Sequence, residues 1–346
     1  MSNKYKIATV YGISHGINDF IAGFLLAKLS VQSENILHIS LAYLIYALIA
    51  FAGQLPAGLF IDQYKSIKSF SRAALLLMII AILTSYFNLF TAIIISGIAS
   101  ALIHVCGGVA CYLVQDRKST LAGIFTSPGV VGLIVGGILG TMQFAYFYVF
   151  AIILVGIIFW LNRLHLPEYT KEVESSNQQD EIELHDFMML LMLFAIAFRS
   201  LFWDIAHQLL IGNTLYLLCI AMSAFLGKLL GGYLTEQIGW RRFVFITVTA
   251  SAILLTFGRN YFWMLCVGVA LLQSTIPITL VLMQDYLRKS PALAAGLSLG
   301  VSIILGGLPM YFQPFREIIH NNYFLLLLSI AFVCSNLWII RKYKLK

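Results

Sequence analysis

His15, Asn18 and Asp19 stand three and four positions apart in an otherwise apolar stretch. If that stretch is helical, they share one stripe with Tyr11 and Ala22. A carboxyl group so placed can take up and return a proton near neutral pH, and an imidazole one turn away can relay it. Ionisable groups at the centre of a membrane helix cost roughly 2.5–3.5 kcal/mol on insertion scales, so each is a candidate functional residue. His104 lies in another apolar run, and Gln273 opens the sequence Gln273-Ser274-Thr275-Ile276-Pro277, where proline loosens a helix and frees carbonyls. Arg199 is followed by Trp203, Asp204, His207 and Gln208. A buried guanidinium there serves either as counter-ion to Asp19 or Asp204, the preferred reading, or as a clamp for an anionic solute. Asp19 and His15 are thus read as a proton-coupling pair. Tyr11, Asn18, His104, Arg199, Trp203, Asp204 and Gln273 are read as the lining of a solute site. Neither a cofactor nor a bound metal is expected.

The elements that must position these groups are set by composition. Apolar residues make up 60% of the chain and charged ones 11%, and mean hydropathy is +0.89. Soluble domains carry about 25% charged residues, so a water-soluble fold is excluded. A spanning helix needs about 20 mostly apolar residues. Candidates run over 8–30, 38–60, 71–88, 90–114, 119–141, 143–162, 187–208, 211–234, 242–258, 261–284, 291–312 and 320–340. The first of these reads as a span rather than a cleavable signal, because His15, Asn18 and Asp19 interrupt it. The expected fold is therefore all-α and membrane-integral, with twelve transmembrane helices.

Of the 22 Lys and Arg, all but Lys28, Arg259, Arg316, Arg199 and Lys228 fall on one side of that arrangement. The positive-inside rule makes that side, with both termini, cytosolic. The net charge of +7 then reports membrane orientation, not nucleic-acid binding. Cys106, Cys111, Cys219, Cys266 and Cys334 all fall in apolar segments and read as small buried hydrophobes. Residues 165–186 are polar and acidic, a solvated linker between a six-helix bundle at 1–164 and another at 187–346.

The two bundles repeat one another. Gln115-Asp116-Arg117-Lys118-Ser119 with Ala122-Gly123 matches Gln284-Asp285, Arg288-Lys289-Ser290 and Ala295-Gly296. By the same offset His104 aligns with Gln273. Gly58-x-x-x-Asp62 likewise matches Gly232-x-x-x-Glu236. Same-orientation repeats imply halves related by an axis along the membrane normal, one rocking against the other. Asp62, Asp116, Arg117, Glu236, Arg241, Arg242 and Asp285 sit at the inner helix ends, where ion pairs would latch the inner mouth.

Gly232-Tyr-Leu-Thr-Glu236-Gln-Ile-Gly239-Trp-Arg241-Arg242 resembles the loop motif of the major facilitator superfamily. The shorter copy, Gly58-Leu-Phe-Ile-Asp62-Gln-Tyr-Lys65, lacks the second glycine. Within that superfamily the first half is similar to the fosmidomycin-resistance-like group. It carries that group's His-x-x-Asn-Asp pattern at His15, Asn18 and Asp19, and its Gly-rich approach to a histidine at His104, with Val105-Cys106 where the group has Pro-Glu. The glycines around Pro128-Gly129 resemble the motif of antiporter members. The resemblance implies proton-coupled efflux of a small organic solute by a monomeric antiporter of the cell (inner, plasma) membrane. Its partners would be the solute, protons and the lipid bilayer, with no nucleic acid.

Three alternatives come from the residues. His185-x-x-x-Met189 and Met188-x-x-x-Met192 offer soft ligands for Cu(I), hence a copper importer. Import of an organic anion and proton-independent facilitation are the others. No nucleophile–base motif marks an enzyme.

Overall fold

The computed structural model describes residues 2–114, 118–167, 169, 182–210 and 212–342, with backbone alone for 182–185. All regular structure among them is helical, as an apolar chain in lipid requires, since each helix satisfies its own backbone. Twelve long helices follow one another: α1 (Asn3–Gln32), α2 (Ile36–Tyr64), α3 (Ile67–Thr84), α4 (Leu89–Val114), α5 (Thr120–Thr141) and α6 (Val149–Asn162). The second set is α7 (Ile182–Gln208), α8 (Thr214–Ile238), α9 (Trp240–Phe257), α10 (Phe262–Tyr286), α11 (Pro291–Tyr311) and α12 (Asn322–Lys342). A short helix not expected from the sequence, Gln313–Ile318, precedes α12.

Ten of these are long and apolar enough to cross a membrane. The exceptions are instructive. The α6 helix has 14 residues; it was expected from residue 143, but Gln143 adopts a left-handed φ of 51° that ends the preceding helix. The α1 helix has 30 residues but is too polar to qualify. It packs on α5, α4 and α6, and a helix screened from lipid by its neighbours can carry polar groups inward.

Two cores result. One is built mainly from α1–α6 and takes in Ile276, Leu280, Ala292 and Leu299 from the second half. The other is built mainly from α7–α12 and takes in Val130 and Ile134 of α5. The halves meet along α5–α8 and α2–α11, with α10 lying against α5 and α11 against α4. Both α2 and α11 pass through a π-helical turn, Leu48–Ala52 and Leu297–Val301, and these turns touch one another. The α10 helix breaks at Ser274-Thr275, just ahead of Pro277. Asn213 caps α8 by accepting from the Tyr216 amide at 3.1 Å, which fixes the α7–α8 boundary. Twelve crossings bring both termini to one face, where the Asn3 side chain donates to the His165 carbonyl at 2.9 Å.

Candidate functional site

The α1 stripe meets α4 and α5 in the interior of the first half. His15 Nε2 lies 3.1 Å from Asp19 Oδ2, and His104 Nε2, from α4, lies 3.8 Å from Asp19 Oδ1. The two imidazoles stand edge to face with centroids 4.4 Å apart. Asn18 donates to Asp19 Oδ1 at 2.9 Å and to Ser100 Oγ at 3.1 Å, and the Tyr46 hydroxyl reaches Ser100 Oγ at 3.5 Å.

Tautomers decide what this cluster can do. His15 Nδ1 faces the Phe125 carbonyl at 3.0 Å, and His104 Nδ1 faces the Ser100 carbonyl at 2.7 Å. A carbonyl only accepts, so both Nδ1 atoms carry hydrogen, and in a neutral ring Nε2 is a bare lone pair. Both lone pairs converge on a carboxylate, which also only accepts. At 3.1 Å a proton must stand between His15 and Asp19, on one or the other. Asp19 is the most open of the three, its side chain 14% exposed against 6% for His15 and 10% for His104, so exchange with water enters at the carboxyl. The three ligand atoms also fall within 4.8 Å of one another, a spacing that would suit a divalent cation such as Zn²⁺. The ring Nδ1–H bonds to carbonyls are the outer-shell pattern such a site uses. This grouping was not foreseen. The sequence reading matched His104 with Gln273 of the other half and placed it in the solute site, not in a ligand set with His15 and Asp19.

Space for the cluster comes from Gly129 on α5. A Cβ built there would overlap His15 Nε2 and lie 2.5 Å from Asp19 Oδ2. The obstacles are side-chain ends, so Gly129→Ala is expected to fold yet displace His15. Proton uptake should fall by at least about tenfold, since a misplaced imidazole loses a charge-assisted bond worth more than 1.4 kcal/mol. Potentiometric titration of the purified variant checks this.

Other expected site residues scatter. Tyr11 is buried and bonds Ser71 Oγ at 2.8 Å, tying α1 to α3 away from the cluster. Trp203 stacks on His207 at 6.2 Å, and Asp204 lies beside Gly307 on α11. Gln273 is buried and ends the first segment of α10, just ahead of the break at Ser274-Thr275. Arg199 corrects the sequence reading. It forms no ion pair with Asp19 or Asp204; its Nη1 donates to Thr279 Oγ1 at 2.8 Å and reaches Thr275 Oγ1 at 3.5 Å. Lys228, which the sequence reading left without a role, donates to the Thr126 carbonyl at 3.3 Å. The proposed copper ligands Met188 and Met192 pack in the second core, and the His185 side chain lies outside the described residues.

At the face holding the termini, the repeated acids bridge the halves in the same way. Asp62, ending α2, accepts from the amides of Ala292 at 3.1 Å and Leu293 at 2.9 Å, the N-terminus of α11. Glu236, ending α8, accepts from the Thr120 amide at 2.8 Å and its hydroxyl at 2.7 Å, the N-terminus of α5. Each acid caps a helix of the other half and faces its dipole. The glycine four residues earlier permits the approach, because a Cβ at Gly58 would lie 2.7 Å from the Ala292 carbonyl oxygen and one at Gly232 2.6 Å from that of Ser119. The expectation was ion pairs, and what the structure adds is helix capping. Tyr169, from the segment after α6, donates its hydroxyl to Asp62, whose negative charge and burial push the phenol above its ordinary range. Asp285 pairs with Arg288 at 2.7 Å, Arg241 lies over the Trp240 ring, and Arg242 is exposed. Asp116 and Arg117 lie outside the described residues.

Removing one cap typically costs about 1 kcal/mol. Asp62→Ala should therefore raise hydrogen exchange at the Ala292 and Leu293 amides by roughly fivefold to tenfold, measured by mass spectrometry, with α3 amides unchanged.

A sequence model described as Major Facilitator Superfamily matches residues 8–334. No curated protein matches. Among solved structures, a variant of the Escherichia coli fucose:proton symporter superposes with a TM-score of 0.73 at 11% identity, covering 98% of this chain and 97% of that one.

Proposed function

Because the chain belongs to the Major Facilitator Superfamily, whose members are secondary transporters and not enzymes, we propose that it couples movement of a small organic solute to protons through the His15–Asp19–His104 cluster. One observation carries this reading. Two imidazole lone pairs, fixed by backbone carbonyls, converge on a carboxylate, so the site is incomplete without a shared proton. Supporting it, the structurally similar symporter is itself named for proton coupling. Arg199, held on α10, and Lys228, held on α5, would supply polar groups for a solute from the second half.

In this mechanism the halves rock about the α2–α11 and α5–α8 seams. In this reading the Asp62 and Glu236 caps close the mouth on the terminal face, and opening it would withdraw those carboxylates from the helix ends. The terminal face is read as cytosolic, the membrane as the cell membrane, and the direction as outward. Protonation of Asp19 removes a charge that otherwise favours the state in which it faces water.

The test is infrared difference spectroscopy of purified protein across a pH step. A protonated-carboxyl band that vanishes in Asp19→Asn supports the proposal. If no such band occurs at any pH while one Zn²⁺ per chain binds tightly, the cluster is a metal site instead.

A further inference from the structure

The second half places two cations at the centre of the bundle with no carboxylate bonded to either among the described residues. Arg199 is 4% exposed, and its hydrogen bonds among the described residues use Nη1 alone, to the Thr275 and Thr279 hydroxyls of α10. Its Nε and Nη2 have no hydrogen-bond acceptor among the described residues, and neither is completely sealed from the accessible surface. A guanidinium so held presents a fixed fork of N–H donors, the geometry that grips a carboxylate or phosphate bidentately. Lys228 extends from α8, whose Gly231 packs on the Ser274 backbone next to the Thr275 that holds Arg199, and it is anchored on the α5 carbonyl of Thr126.

Charge accounting points to what belongs there. With the shared proton in place the His15–Asp19 pair is neutral and offsets neither cation; when that proton leaves, Asp19 offsets one of the two. Either way positive charge is left over around Arg199, which is buried, and Lys228, which is half-buried. A buried charge without a partner is costly, and the cheapest remedy is a ligand of opposite sign. The threonine hydroxyls hold the fork in position without neutralising it, which leaves the outer N–H groups for something that comes and goes.

We propose that Arg199 and Lys228 form the binding site for the anionic head of the transported solute, an organic anion bearing a carboxylate or a phosphate monoester. The assignment rests on the reading that the bundle centre is the transport site, and it names the solute class which that reading leaves open.

The test uses purified full-length protein in lipid nanodiscs and three probes sharing one ring: benzoate, phenyl phosphate and benzyl alcohol. Benzoate or phenyl phosphate should raise the melting temperature saturably, and the stronger of the two identifies the head group; benzyl alcohol should not. Arg199→Gln and Lys228→Gln should each weaken that anion on the order of 100-fold, as loss of a charge-assisted bidentate contact does. Arg199→Lys, which keeps the charge but not the fork, guards against misfolding and should lose less. Equal stabilisation by benzyl alcohol, no shift with either anion, or full affinity in a folded Arg199→Gln protein overturns the assignment. This measurement needs no pH gradient, so its failure leaves the proton site standing. Conversely, loss of the carboxyl infrared band leaves the anion site standing.

Discussion

Asp19→Asn is expected to abolish pH-gradient-driven accumulation in proteoliposomes while leaving solute exchange between the two sides intact. With one proton per solute, a gradient of two pH units supplies about 2.7 kcal/mol, enough for roughly 100-fold accumulation. The variant should fall to no accumulation at all. The asparagine keeps the shape and still meets His15 Nε2, but as an amide N–H donor, so the lone pair is satisfied permanently rather than by a proton that leaves. That is why exchange should survive, since the halves can still rock with the site satisfied in both states. Accumulation by Asp19→Asn equal to the parent protein would mean that the coupling ion binds elsewhere. Loss of exchange as well would mean that Asp19 is needed for the conformational change itself.

What the sequence disclosed of this site, and what it hid, follows from where each partner sits. His15, Asn18 and Asp19 lie on one helix, and helical spacing alone puts them on one face. That His104 completes the group depends on how α4 packs against α1, which spacing within a helix does not encode. The same limit misassigned Arg199. Carboxylates were available in the composition, and only the tertiary arrangement shows Asp204 beside Gly307 and the guanidinium against Thr275 and Thr279. The Ser274-Thr275 break before Pro277 was visible, but not the use made of its hydroxyls. Lys228 was overlooked because a lysine in a span can snorkel to the surface; here a neighbouring half-bundle holds it inward.

The spans, by contrast, were legible to within a few residues, because hydrophobic length is set by the bilayer. The repeated Gly-x-x-x-acid motif was legible as a pair, though its action was not. An acid at a loop suggests an ion pair, whereas only the packing of α2 on α11 and α8 on α5 shows it facing a helix N-terminus. These helix ends are held together by charge against helix dipole and by glycine-allowed contact.

The second large effect concerns the glycines of α5, and here the pattern read as close packing can be made quantitative. Helices in lipid gain nothing from hydrophobic transfer on associating, so van der Waals contact and backbone approach carry the association. The α1–α5 seam is built on such contact, for a Cβ at Gly132 would overlap the Gly16 carbonyl and one at Gly136 the Phe20 carbonyl. The obstacle is backbone in both cases and cannot rotate away, unlike the side-chain ends near Gly129. Gly132→Ala and Gly136→Ala should each destabilise by on the order of 3 kcal/mol, the upper range for overpacking. Gly137, on the same helix, has nothing within 4 Å of an added Cβ. There alanine adds only helix propensity, about 1 kcal/mol at most in its favour. Thermal unfolding in one detergent should therefore rank Gly137→Ala at or above the parent protein and the other two well below it. Were Gly132→Ala as stable as Gly137→Ala, α1 would not lie against α5 at this distance. The proton site, which depends on the Phe125 carbonyl of α5 fixing the tautomer of His15, would lose its frame.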